Sequence, residues 1–313
     1  MPTSTYFAKY PSFPSDIPVP NMPIFSFAKL AVNDGHESYA LFEASRHIGF
    51  FQLDFTGCLL GDQFLKNTEK TFDLNAELYA LPKLELNEYA YNPPISLFRY
   101  KPLGYHKIGK FGDRVELYGI SRDDITGASE PLANPSCIER CRPQLKTYIE
   151  QANEIVNIIL GHLEKHLKLP LGTFAELQPM MQPSGSVLRM LKYEPQPADD
   201  RRTAMMGHTD ITALTLLFST TGGLQILNDD ADRRLECSWT HIKPQPSTCI
   251  YPFSLIPPGE ERENSENDMN ARDWEWHKLS SIKAGDIGRS LGGKPFEPKR
   301  NVNELFPAII DAV

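Results

Sequence analysis

The sequence predicts an α+β protein in which helices come first and a jelly-roll type of barrel or sandwich follows. Three observations predict it. The strongest helical repeat in the chain runs from Ile138 to Leu163. From Ser186 onward the apolar period changes to two. The segments with that period are short and are broken by clusters of Pro, Gly and Asp, which suits a many-stranded antiparallel architecture. A chain of 313 residues, 41% hydrophobic and 10% aromatic, can bury a sizeable core as one large domain or two modest ones.

Taken in order, Pro23-Ile24-Phe25-Ser26-Phe27 is a compact apolar stretch that reads as an opening strand. Residues 37–48 have helical spacing through Leu41, Ala44 and Ile48, and Gly49-Phe50-Phe51-Gln52-Leu53 reads as a buried strand closed by Thr56-Gly57. Between Leu81 and Asp124 the chain is rich in Pro, Tyr and Gly with little periodicity, which predicts a long functional loop. Leu145, Ile149, Ala152, Val156, Ile159 and Leu163 then alternate steps of four and three. Pro143 suits the first turn and Pro170 stops the helix, whose apolar stripe is expected to lie along a sheet. Residues 186–193, 212–218, 223–227 and 247–250 read as strands. Beyond Pro257 the pattern gives way to a charged, Asn-rich loop, a candidate short helix over 273–283 and a Gly-, Lys-, Pro- and Arg-rich tail. The chain therefore divides into an N-terminal region (1–135), a long helix (136–170), a strand-rich segment (171–256) and a poorly ordered tail (257–313).

A net charge of -8 and a pI near 5.5 argue against a nucleic-acid-binding surface, and no block of Lys or Arg contradicts that. The first residues show no basic stretch leading into an apolar one, and the longest apolar runs fall far short of the ~20 residues of a membrane helix. Five cysteines, an odd number with no CxxC pair, fit a reduced cytoplasmic protein. The expectation is a monomer that acts on a small molecule, away from nucleic acid and membrane.

The residues that carry chemistry are Gly207-His208-Thr209-Asp210. An imidazole and a carboxylate two residues apart on a strand edge point to the same side and can grip one face of a metal ion. Iron(II) is well served by such a pair, which leaves positions open for a cosubstrate and oxygen. The same spacing also suits an aspartate that only caps a turn, so it leaves both readings open.

Context narrows the choice. Residues 24–27, the "GFF" stretch Gly49-Phe50-Phe51, Gly104-Tyr105 with residues 113–118, Leu188-Arg189-Met190-Leu191-Lys192-Tyr193, the His208–Asp210 motif with Thr215-Leu216-Leu217, Gly222-Gly223-Leu224-Gln225-Ile226 and residues 239–244 occur in one order. The series resembles the isopenicillin N synthase-like branch of 2-oxoglutarate/Fe(II)-dependent dioxygenases. That resemblance implies a cupin-like double-stranded β-helix with N-terminal helices packed on it. It implies Fe(II) held by His208 and Asp210, and 2-oxoglutarate as cosubstrate with Tyr193 near its carboxylate. It also implies hydroxylation, desaturation or ring closure of a small molecule, of the kind found in secondary metabolism. Arg99, Tyr105 and Arg189 are candidates for the substrate side, although packing or surface roles suit them as well.

One part of the family pattern is missing. Relatives carry a second iron-binding histidine in an "HRV" strand, then an arginine in "RxS". Residues 258–268, where the spacing would put that histidine, contain none. The nearest substitutes are His241 and His277. Leu255-Ile256-Pro257-Pro258 and Asp273-Trp274 resemble the tail that follows the last strand in relatives. The run thus passes from Ile250 almost directly to that tail, which implies an incomplete barrel and the absence of an internal segment, as a gene-model or splicing deletion would produce. The competing expectation is a catalytically impaired relative that acts as a binding protein.

Overall fold

The computed structural model describes residues 6–8, 12–93, 96, 98–196, 202–208, 210, 214–227 and 239–252. The expected tail over 257–313, His277, Thr209 and residues 211–213 lie outside them.

After a 3-10 turn at Tyr6–Ala8 come β1 (Ile24–Ser26), α1 (Phe27–Ala31), α2 (Gly35–His47) and β2 (Phe50–Asp54). The Ser26 hydroxyl accepts from Lys29 N and so caps α1, and the Asp34 carboxylate accepts from Glu37 N and caps α2. β1 and β2 run parallel, and β10 (Thr248–Pro252) joins β2 antiparallel from the far end of the chain. Pro252 is the last residue of β10, where a missing N–H costs the ladder least. A second sheet combines β3 (Arg99–Lys101), β6 (Val115–Ser121) and β7 (Val187–Tyr193) in that order, all antiparallel. Two small hairpins complete the strands: β4 (Lys107–Ile108) with β5 (Phe111–Gly112), and β8 (Gln225–Leu227) with β9 (Trp239–His241).

Two long helices hold the sheets together. In α3 (Leu59–Ala80) and α7 (Arg142–Leu167), Phe64, Ile155, Ile159 and Leu163 pack with Phe25, Phe51, Leu53 and Cys249 of the first sheet. Leu74, Leu78, Leu145 and Ile149 pack with Tyr100, Tyr118, Ile120 and Met190 of the second. Each such side chain, fully buried, contributes about 1.5–3 kcal/mol of transfer free energy. α4 (Lys83–Glu88), α5 (Arg122–Thr126), α6 (Ser136–Arg140) and α8 (Thr173–Glu176) are short connectors.

Several expectations need correction. The stretch from Leu81 to Asp124 is not one loop: it holds α4, β3 and the central strand β6. Glu116 disguises that strand, because this charged residue faces the core at 1% exposure. It is matched there by Lys83 Nζ at 2.5 and 2.6 Å and by the Tyr100 hydroxyl. α3 escaped the periodicity because Thr68 and Thr71 occupy buried positions; their hydroxyls donate to the carbonyls of Phe64 and Asn67, each at 2.9 Å. α7 packs on α3 and α2 as well as on sheet, and Lys168, in a left-handed conformation with φ 56°, ends it before Pro170 is reached. Of the strand expected over 212–218, the described residues keep isolated bridge positions at Leu214 and Leu217; Leu217 and Ile250 exchange backbone hydrogen bonds of 3.0 and 2.9 Å. The described strands form separate sheets and hairpins, with no closed barrel among them.

Candidate metal centre

The site segment follows β7 and returns across β6, where Arg114 N donates to Ala204 O at 2.9 Å. Residues 206–208 have no regular secondary structure, so His208 does not sit on a strand edge as expected. The local path is set instead by Gly207. A Cβ at this position would lie 2.5 Å from the Trp239 ring of β9, so the absence of a side chain lets the indole rest on the backbone beside His208. Gly207→Ala should therefore displace either the ring or the ligand-bearing backbone, at the roughly 1–3 kcal/mol typical of overpacking. A lowered melting temperature with weakened metal binding would show it, and an unchanged melting curve would contradict it.

His208 is oriented through its other nitrogen. Nδ1 lies 2.9 Å from the Met206 carbonyl, which can only accept, so Nδ1 carries the proton and the Nε2 lone pair of the neutral ring is free for a cation. Nε2 faces Asp210 Oδ1 at 3.5 Å. The other carboxylate oxygen, Oδ2, accepts from the Thr215 hydroxyl at 2.7 Å. The partners of Asp210 among the described residues are side chains. Without a metal the pair can share a proton. The hydrogen bond to Asp210 raises the His208 pKa above its ordinary value, burial and the charge of Arg189 opposing it. The same bond from His208 lowers that of Asp210, helped by Thr215 and Arg189.

The donor set fits two adjacent positions of a divalent cation. Two bonds of about 2.1 Å meeting near a right angle separate their donors by about 3 Å, close to the spacing found here. Side-chain exposures of 39% and 26% leave the pair open to solvent and to a cosubstrate. Neutral imidazole with its second N–H on a backbone carbonyl is also the usual arrangement around a metal-bound histidine.

The other expected residues are less convergent. Arg189 and Tyr193 lie on one exposed face of β7, and the charge of Arg189 reaches both members of the pair. No hydrogen bond joins Tyr193 to either member among the described residues. Tyr105 belongs to an aromatic cluster with Tyr91 and His106, at ring separations of 4.8 and 5.1 Å. Arg99 opens β3 with φ 74°. His241 Nε2 lies 3.0 Å from the Gln225 amide nitrogen across its own hairpin. Among the described residues no three His, Cys, Asp or Glu side chains converge to hold a metal. Sequence reasoning assigned no role to Gly207, Thr215 or Trp239. Only the run of Thr215 after the motif could have signalled one, as a hydroxyl within reach of the carboxylate.

Likeness to known proteins bears on this arrangement. The model of the 2OG-Fe(II) oxygenase superfamily matches residues 184–256. The chain is 26% identical over 265 residues to a 2-oxoglutarate-dependent dioxygenase of Aspergillus fumigatus, covering 76% of this chain and 66% of that protein. It is 27% identical over 212 residues to the 2-oxoglutarate-dependent dioxygenase ecdG of Aspergillus rugulosus, covering 66% of this chain and 60% of that protein. The chain thus spans less than two thirds of the length of these relatives. In fold it is similar to the crystal structure of a 2OG-Fe(II) oxygenase family protein from Caulobacter crescentus, with a TM-score of 0.60 at 22% identity over 75% of this chain and 74% of that one.

Proposed function

We propose that this chain, which belongs to the 2OG-Fe(II) oxygenase superfamily, uses His208 and Asp210 to hold Fe(II) for the 2-oxoglutarate-dependent oxidation of a small molecule. The observation that carries the reading is the tautomer of His208: with Nδ1–H committed to Met206, Nε2 is left as a donor beside Asp210 Oδ1. Bound iron and 2-oxoglutarate would supply the oxidising chemistry, with succinate and carbon dioxide as coproducts. The protein's part is to fix the two donors, to keep Asp210 ionised and to present a positive charge, Arg189, near the anionic cosubstrate or substrate. Tyr193, on the same face of β7, is our candidate for the cosubstrate carboxylate. Within the chain we assign the oxygenase barrel to 171–256, behind the 1–135 region and the 136–170 helix.

Cys58, Cys137 and Cys141 form no disulfide among the described residues, which supports a reduced compartment, and we propose a cytoplasmic monomer. No helix among the described residues is long and apolar enough to cross a membrane. The fungal relatives named above favour a secondary-metabolite substrate, whether hydroxylated, desaturated or cyclised. A second reading has an observation of its own: with two converging ligands among the described residues, the chain would be an impaired relative that binds without turnover. Incubation with Fe(II), 2-oxoglutarate and oxygen separates the two. Iron-dependent succinate supports the enzyme, whereas bound iron without succinate supports the impaired relative.

Metal binding should depend on pH with a definite sign. The His208 pKa is raised above 6.5, so at lower pH Nε2 is protonated and a cation must displace one proton. Affinity should fall about tenfold per pH unit below that pKa and level off above it. Cobalt(II) titrations between pH 6 and 8.5 (roughly the range that brackets an imidazole) check this, and affinity flat across the range would contradict it.

A further inference from the structure

The carboxylate of Asp210 could turn either oxygen toward His208, because rotation about its terminal bond is broad and two-fold. We propose that Thr215 is a positioning residue that decides which oxygen a cation meets, an inference that rests on the His208–Asp210 reading above. The Thr215 hydroxyl donates to Oδ2 at 2.7 Å, within the short range of a hydroxyl bonded to a carboxylate. That contact turns Oδ1 toward His208 Nε2.

Thr215 can impose this orientation because its segment is held from two sides. Leu217 exchanges both backbone bonds with Ile250 of β10, at 3.0 and 2.9 Å, and Ile250 is itself in register with Gln52 of β2. Phe218 sits in a ring cluster with Phe7, Phe55 and Phe64, at separations of 5.7, 5.9 and 5.8 Å. The β-branched side chain adds stiffness at χ1. Asp210, by contrast, leaves irregular backbone. The better-held partner therefore sets the orientation of the other, and the Thr215 hydroxyl couples the sheet edge at β10 to the metal-binding face.

The test uses cobalt(II), a redox-stable stand-in for Fe(II), with the full-length protein, read by its visible absorption and by calorimetry. Thr215→Val keeps the shape and removes the donor; Thr215→Ser keeps the donor. The expected result is a loss of about 10–100-fold in cobalt affinity for Thr215→Val, the size typical of outer-shell partners of a ligand, with an altered cobalt spectrum. Thr215→Ser should bind within about threefold of the natural chain, since it retains the same charge-assisted bond. If Thr215→Val fails to fold, the contrast between Thr215→Ser and Thr215→Ala carries the test. Cobalt bound equally tightly and with one spectrum by all variants overturns the role of Thr215 and leaves the metal site standing. A natural chain that binds no cobalt overturns the site and the inference together.

Discussion

Asp210→Ala should leave a folded protein that no longer forms succinate with iron, the activity proposed for this chain. The carboxylate supplies one of two converging donors and the only negative charge in the pair, so its removal leaves a lone imidazole to hold the cation. His208→Ala should do the same from the other side. Each change should lower metal affinity by at least about 100-fold, beyond the effect of outer-shell changes. Neither side chain belongs to the packed core, with exposures of 39% for His208 and 26% for Asp210, so melting temperatures of the metal-free proteins should stay close to that of the natural chain. Retained iron binding in either variant would show that the donors lie elsewhere.

Lys101→Met should produce the largest loss of stability. The Lys101 ammonium, 1% exposed, pairs with the Asp113 carboxylate, 4% exposed, and donates to the Val115 carbonyl at 2.7 Å. Burial lowers the Lys101 pKa, and the Asp113 hydrogen bond works against that shift to keep the charge. The second Asp113 oxygen, Oδ1, is buried without a hydrogen-bond partner among the described residues. Removing the lysine thus strands a buried carboxylate, a change that costs about 3–5 kcal/mol when one member of such a pair is deleted. In a protein of this size the melting temperature should drop by on the order of 10 °C. Replacing both Lys101 and Asp113 with apolar residues should recover much of the loss, because the pair contributes little net stability over a packed apolar substitute. Arg140→Ala, which breaks an exposed pair with Glu77, is the control and should change little. A Lys101→Met protein that melts like the natural one would refute the account of the second sheet.

The sequence exposed those elements whose apolar pattern is undiluted. α7 and β7 could be read directly, because Leu145, Ile149, Ile159 and Leu163 share one stripe and because residues 187–193 are extended and mostly apolar. α3 and β6 could not, since buried Thr68, Thr71 and Glu116 place polar groups at core positions and are satisfied only by backbone or distant partners. At the site, the two-residue spacing of His208 and Asp210 was legible as metal chemistry, but neither residue lies in a described strand. Met206, Thr215 and the Trp239 ring on Gly207 fix the directions of the two donors. Such long-range contacts leave no local period to detect.

On the proposed function, His208 and Asp210 together form an iron-binding face that the cosubstrate completes. Anaerobic Fe(II) titration with and without 2-oxoglutarate, followed by visible absorption, tests this pairing. Two protein donors alone should bind iron weakly, and 2-oxoglutarate, which can add donors of its own, should tighten binding and give a new absorption band at one iron per chain that Asp210→Ala abolishes. Iron binding that 2-oxoglutarate leaves unchanged, or a band that survives in Asp210→Ala, would contradict the account.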